Sequence, residues 1–310
     1  MKKQPLIVVA GPTASGKTRL AIDIAKAVGG EIVSADSMQI YKYMDIGSAK
    51  PTAEEQSEVV HHLIDFLNPD AEFSVADYTE AAHSVISDIA ARGKAPVMCG
   101  GTGLYINSVV NDVTFGETET DYKMRAELQK YADEHGNEAL LEILAKIDPV
   151  SANRHHPNNV RRVIRAIEFY RLTGQTISEH QDLTKQTDGR YSPVMFCIDW
   201  DRQILYERIN RRVDMMLREG LVDEVRRLVD MGYTKALNSM KAIGYKELID
   251  YFNGECTYDE AVELIKKSSR RYAKRQLTWF RRDERIHWRR AEDNPLNHAI
   301  EILSEEQGGK

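Results

Sequence analysis

The sequence predicts an α/β fold with an inserted all-helical domain, and three observations carry that prediction. The apolar run Leu6–Ala10 feeds into Gly11-Pro12-Thr13-Ala14-Ser15-Gly16-Lys17-Thr18, a full match to G-x-x-x-x-G-K-[ST], and then into an amphipathic segment ending at Val28. Buried-strand runs recur at Glu31–Ala35, Pro96–Cys99 and Pro193–Ile198. Between the last two lies a long stretch with charge-rich helical periodicity and no strand pattern. The expected organisation is a P-loop NTPase-like core with a parallel sheet, built from 1–113 and 190–310, with the helical insertion at 114–189.

The chain in order supports each element. After the first strand, two glycines let the loop backbone curl so that successive N–H groups point inward, and the start of the following helix adds positive potential. Residues Gly11 to Thr18 are therefore expected to bind a diphosphate or triphosphate, with Lys17 reaching the terminal phosphates and the Thr18 hydroxyl ligating Mg²⁺. Gly29-Gly30 stops the helix, and Asp36-Ser37-Met38-Gln39 should fall near the loop, at the carboxyl end of the second strand. A carboxylate there can bind Mg²⁺ through water, take a proton, or only cap a turn.

Tyr41 to Pro69 reads as loop with short helices, and His61-His62 lacks the carboxylates or cysteines of a metal site, which favours structural or substrate-positioning roles. Ser74 to Ala91 reads as a helix with Ser74 as N-cap and Gly93 as its end. Gly100-Gly101-Thr102-Gly103 makes a second strand–glycine–helix junction, expected on the same sheet edge as the first. From Val113 the character changes: Phe115–Thr120 is polar and turn-rich, and Tyr122–Ile147 and Val160–Thr173 read as helices. In the latter, Arg161 and Arg165 lie one turn apart with Arg162 beside them, a set that is ordinary where it faces solvent and grips phosphates where it faces a cleft.

Past the Pro193–Ile198 strand, an amphipathic helix carries Arg208, Arg211 and Arg212. Arg208 is a candidate second phosphate ligand, and a surface salt bridge fits its spacing equally well. Gly220–Val225 follows, and Lys241-Ala242-Ile243-Gly244-Tyr245-Lys246 is a basic turn with an aromatic. From Lys266 to Arg290 there are eleven Lys or Arg against Asp283 and Glu284, on a chain whose net charge is −6. Arg271, Arg275 and Arg282 share a helical face with Tyr272 and Trp279 next to it, a composition suited to structured RNA. The alternative is a solvated helix whose Trp279 and Phe280 pack on the core.

Composition bounds the rest. A chain of 310 residues, 42% hydrophobic and 29% charged, is long enough for one large domain and a smaller one. The opening Met1–Pro5 and the short apolar run after it read as neither a signal peptide nor a membrane span. Three scattered cysteines, Cys99, Cys197 and Cys256, imply no disulfide framework and a reducing, cytoplasmic setting. With the phosphate loop granted, two enzyme classes compete. One is a small-molecule or nucleotide kinase that binds ATP; the other holds the diphosphate leaving group of another donor while a nucleic acid supplies the nucleophile. A nucleotide switch is a distant third. The lack of an apolar strand ending in a metal-binding Asp, together with the basic aromatic tail, favours the second.

The phosphate loop, Asp36-Ser37-Met38-Gln39-Ile40-Tyr41, His61-His62-Leu63-Ile64-Asp65, Gly100–Tyr105 and Ala242-Ile243-Gly244-Tyr245 together resemble the bacterial tRNA dimethylallyltransferase family, in order and through nearly the whole chain. The resemblance implies transfer of a dimethylallyl group from dimethylallyl diphosphate to the N6 amine of the adenosine 3′ of the anticodon, in tRNAs reading codons that begin with U. It further implies Asp36, Thr18, Arg208 and Thr13 as catalytic, with Mg²⁺ on Thr18. The anticodon stem-loop of tRNA would be contacted by Asp36, Ser37, Met38, Gln39, Thr102, Arg125, Arg161, Arg162, Val163, Ile164 and Arg165. The family's usual Gln-Arg pair stands here as Arg161-Arg162. A cytoplasmic monomer without membrane contact is expected.

Overall fold

The computed structural model describes residues 3–113, 121–179 and 189–308. Six strands, β1 Gln4–Ala10, β2 Gly30–Ser34, β3 His61–His62, β4 Ala95–Gly100, β5 Tyr191–Asp199 and β6 Ile286–Arg290, form one parallel sheet in the order β3-β2-β4-β1-β5-β6. The chain leaves β1 for β2, β3 and β4 on one side and returns to β5 and β6 on the other. The loop after β1 therefore opens into the crevice at the carboxyl ends, where the strand order turns.

Neighbouring residues of β1 face opposite sides of the sheet, and both sides are covered. Leu6, Val8 and Ala10 join the core beneath the Val75–Ala91 and Gly103–Val110 helices, whereas Ile7 and Val9 join the core beneath the Lys17–Val28 and Pro295–Gly308 helices. A strand segment buried on both faces must be apolar throughout, which is why Leu6–Ala10 of β1 reads as an unbroken run. Ser74 caps the Val75–Ala91 helix by accepting from Asp77 N, and Asp77 answers in a reciprocal capping box. A third core gathers Val213, Leu221, Val225, Tyr245, Leu248 and Ile265 around Ile40, Tyr41 and Met44. It joins the Arg202–Arg218, Leu221–Asp230, Tyr245–Phe252 and Tyr258–Phe280 helices to the segment after β2.

Two strands depart from the expectation. β6 lies inside the basic block, where the sequence shows no strand pattern. It is an edge strand in which only Ile286 is buried, so its sequence carries no apolar run. β3 is two residues long: His61 Nδ1 contacts Val59 O at 2.8 Å and His62 Nε2 contacts Glu31 at 2.7 Å, which gives both histidines structural work.

By density of contacts the chain divides into 1–110 with 190–310, and 111–189. Within the second unit, Tyr122–Ile147 is two helices, not one. Gly136, at φ +91°, ends Tyr122–His135 and starts Asn137–Ile147. Pro149–Arg154 adds a short helix before Val160–Thr173, and Leu128, Leu140, Leu144, Val163 and Ile167 form its core. The Phe115–Thr120 stretch lies outside the described residues.

Candidate active site

The phosphate loop is braced from outside. Ala14 adopts a left-handed conformation at φ +62°, which a side-chain-bearing residue keeps only where its surroundings hold it. The Ala14 carbonyl accepts from Arg208 Nε at 2.9 Å, and the adjacent Ser15 carbonyl accepts from the Trp200 indole at 2.9 Å. The Arg208 guanidinium lies 4.2 Å over the Trp200 ring, so the two braces support each other. Both braces act on loop carbonyls, so neither of them occupies a loop amide that an anion would use.

A second tether comes from the long Tyr258–Phe280 helix. Gln276, 5% exposed, accepts from Thr13 N at 3.0 Å and donates to Gly101 O at 2.9 Å, linking the two glycine junctions. A Cβ at Gly101 would come within 2.3 Å of the Gln276 amide nitrogen, so this approach needs glycine. The helix read as an RNA-facing element thus turns one face to the loop. Trp279 and Phe280 belong to the sheet's core, while Arg271, Lys274, Arg275, Arg281 and Arg282 stay exposed.

At the end of β2, Asp36 Oδ1 accepts from Met38 N at 2.9 Å, closing a turn that aims the carboxylate into a cavity of about 350 Å³. Thr102 Oγ1 accepts from Ser37 N at 3.0 Å and fixes the same turn from the β4 side. Thr13, Lys17, Thr18, Asp36, Ser37, Met38 and Gln39 all line this cavity, and Ile209, Val213, Met216 and Leu221 form an apolar wall. A second cavity, about 960 Å³, lies along Gly16, Arg19, Thr52 and Glu55, and shares Lys17, Thr18, Ala49, Arg212 and Met216 with the first.

The electrostatics suit an anion. Burial lowers the Lys17 ammonium from its ordinary value, with nearby Arg212 acting in the same direction and Asp36 opposing it. Burial also lowers the Arg212 guanidinium. Two cations in one desolvated place disfavour each other until a polyanion joins them. Among the described residues, Lys17 Nζ donates to the Pro12 carbonyl, at 3.4 Å. The Tyr272 phenol, also on the cavity, is pushed up to about 12, first by burial and then by the Asp36 carboxylate.

The structure places the other expected residues as follows. Arg208 does not line either cavity; it holds the loop, and Arg212, one turn on, faces both. Their four-residue spacing was the available signal, yet which turn faces the ligand depends on the packing of the helix. Val163 and Ile164, expected to contact RNA, are 0% and 5% exposed in the helical unit's core, because the 3.6-residue period turns them inward beside exposed Arg161 and Arg162. Arg125 and Arg165 each reach the buried Glu168 carboxylate at 2.9 Å. Tyr245, the aromatic of the basic turn, is fully buried.

A family model described as IPP transferase matches residues 39–283. The chain belongs to the IPP transferase family. It is 53% identical over 283 residues to the tRNA dimethylallyltransferase of Acetivibrio thermocellus, covering 91% of this chain and 90% of the relative. It is 46% identical over 309 residues to that of Lachnoclostridium phytofermentans, covering 98% and 99%. Among solved structures, the full-length tRNA isopentenylpyrophosphate transferase of Bacillus halodurans is similar at TM-score 0.73 and 44% identity, over 99% of this chain and 96% of that one. A eukaryotic dimethylallyltransferase acting on tRNA is similar at TM-score 0.86 and 26% identity, over all of this chain and 80% of that one.

Proposed function

We propose that this IPP-transferase-family enzyme moves a dimethylallyl group from dimethylallyl diphosphate to the N6 amine of the adenosine 3′ of the anticodon, in tRNAs reading UNN codons, as a cytoplasmic monomer. The observation that carries the reading is a single cavity presenting the phosphate loop, the Asp36 carboxylate and an apolar wall together. A diphosphate needs the first, an acidifying amine the second, and a five-carbon allyl group the third. A kinase leaves the apolar wall without a task, so that alternative is not favoured.

In this reading the loop amides, Lys17 and Arg212 take the diphosphate, and Arg208 keeps the loop in shape. As the allylic C–O bond breaks, its electron pair goes to the diphosphate, whose growing charge those groups stabilise. The adenine nitrogen bonds to the released carbon, and Asp36 accepts the N6 proton through the oxygen that does not hold Met38 N. Thr13 sits between the two partners.

Among the described residues no group of three His, Cys, Asp or Glu is placed to cage a metal ion. A hydroxyl beside a carboxylate, as Thr18 and Asp36 provide, does fit Mg²⁺ carried on a diphosphate. Held there by Thr18, Mg²⁺ would neutralise charge on the leaving group. Ser37, Met38, Gln39, Thr102, Arg125, Arg161, Arg162 and Arg165 are the proposed tRNA contacts, with Val163 and Ile164 contributing only to the helix that presents them. The target base is stacked in its loop and must be extruded to reach Asp36.

Radiolabelled dimethylallyl diphosphate, Mg²⁺ and unmodified tRNA should give labelled RNA, and digestion should place the label on N6 of that adenosine. Phosphate moving from labelled ATP to an acceptor, with no prenyl label in RNA, would sink the reading.

A further inference from the structure

Glu224, in the Leu221–Asp230 helix, has no task in the transfer as described. It is 1% exposed, and its carboxylate is fully engaged. Oε2 accepts from Asp45 N at 2.9 Å and Ile46 N at 2.8 Å; Oε1 accepts from Gly47 N at 3.0 Å and from the Tyr245 hydroxyl at 2.6 Å. Four donors thus fill the acceptor positions of one carboxylate, and none of the four is a cation. Burying a charge for amides and a phenol is costly, and the arrangement is best understood as geometric control of the three residues it gathers. The Gly47 backbone lies so close to Tyr245 that a Cβ there would fall 2.5 Å from the ring.

What the carboxylate holds is a wall of the active site. Gly47, Ser48 and Ala49 line the smaller cavity, and Asp45, Ile46 and Ala49 line the larger. The Ala49 carbonyl accepts from Gln39 Nε2 at 3.0 Å, and Gln39 Oε1 accepts from Ser34 Oγ at 3.0 Å, two residues before Asp36. Ala49 N donates to Ile46 O at 3.0 Å, so a continuous set of hydrogen bonds runs from Glu224 to the strand end that carries the proton acceptor.

We infer that Glu224 is a positioning residue for the transfer: it fixes the Asp45–Ala49 wall so that the allylic carbon stays against the adenine amine and water does not take its place. The inference rests on the transfer reading. If the wall loosens, water attacks the same carbon. The C–O bond breaks with its electron pair going to the diphosphate, a water oxygen bonds to carbon and sheds a proton, and dimethylallyl alcohol replaces labelled RNA.

The test uses the full chain and two variants, Glu224→Gln, which puts an NH₂ against amide donors, and Tyr245→Phe, which removes one donor. Wild-type label transfer to tRNA checks the underlying reading. For Glu224→Gln the expected result is a fall in kcat of about tenfold or more, with affinity for inorganic diphosphate within about threefold of wild type. The ratio of labelled alcohol to labelled RNA should rise about tenfold, and the Asp45–Gly47 amides should exchange with deuterium about tenfold faster or more. Tyr245→Phe should move all three in the same direction by less. An unchanged product ratio, unchanged exchange, or a parallel loss of transfer and diphosphate binding would overturn the inference and leave Glu224 a support of the fold. Should Glu224→Gln fail to fold, Tyr245→Phe decides alone: no change in ratio and exchange overturns it. Absence of wild-type transfer overturns the transfer reading itself.

Discussion

Asp36 has two uses that one carboxylate can combine: one oxygen closes the turn to Met38 N, and the cavity receives the side chain beside Thr13, Lys17 and Thr18. Because the proposed diphosphate-binding groups, the loop amides with Lys17 and Arg212, lie outside the Asp36 turn, Asp36→Ala should leave binding of inorganic diphosphate within about threefold while lowering transfer by about 10²-fold or more. Calorimetry with diphosphate and a label-transfer assay check this together; equal losses would make Asp36 a builder of the site. Asp36 was legible as a candidate because a strand must end near the loop. Arg212 and Gln276 were not, since a Gln in a basic helix or one Arg among three shows its direction only after the helix has packed.

The Val160–Thr173 helix illustrates how an element reassigns its residues. Its periodicity announced a helix, and the same period places Val163 and Ile164 in the core and leaves Arg161 and Arg162 outside. Glu168, 0% exposed, takes Arg125, Arg165 and the Asp121 amide. Burial acts against its charged form, but the hydrogen bonds from Arg125 and Arg165 outweigh it and hold the carboxyl below its ordinary 4.5. A depressed folded-state pKa contributes stability that is present above about pH 4.5 and lost as pH falls through the lower, folded value. Glu168→Gln should therefore destabilise this unit by about 2 kcal/mol at pH 7, the partly exposed arginines softening the loss. The gap to wild type should narrow as pH falls below 4.5. Amide exchange across 121–179 at several pH values reads this directly; a gap that widens in acid would reverse the assignment. β6 shows the opposite case, an element with almost no sequence signal. An edge strand needs one buried residue and a partner, and Met195 opposite Ile286 supplies the partner.

For the whole molecule, the division at 111–189 separates the two probes of stability. All three tryptophans, Trp200, Trp279 and Trp288, lie in the phosphate-binding unit, so fluorescence follows that unit alone. Diphosphate at about a hundredfold over its Kd should stabilise it by about 2.7 kcal/mol, while amide exchange in 121–179 stays unchanged. Equal protection of both units would instead mean that they unfold as one. The fold class, the phosphate loop and the family resemblance were legible in the residues because they depend on local rules. Apolar runs make strands buried on both faces, the 3.6-residue period makes helices, and Gly11–Thr18 can curl around an anion wherever it occurs. Contacts far apart in the chain were not legible: Trp200 and Arg208 on the loop carbonyls, Gln276 between Thr13 and Gly101, Glu224 on Asp45–Gly47. Each joins segments whose meeting depends on strand order and helix packing, and hydrogen-bond partners more than a hundred residues apart leave no periodicity to read. Which arginine lines the cavity beside Lys17, and which carboxylate gathers the Asp45–Gly47 amides, were decided only when the sheet and its helices closed around them.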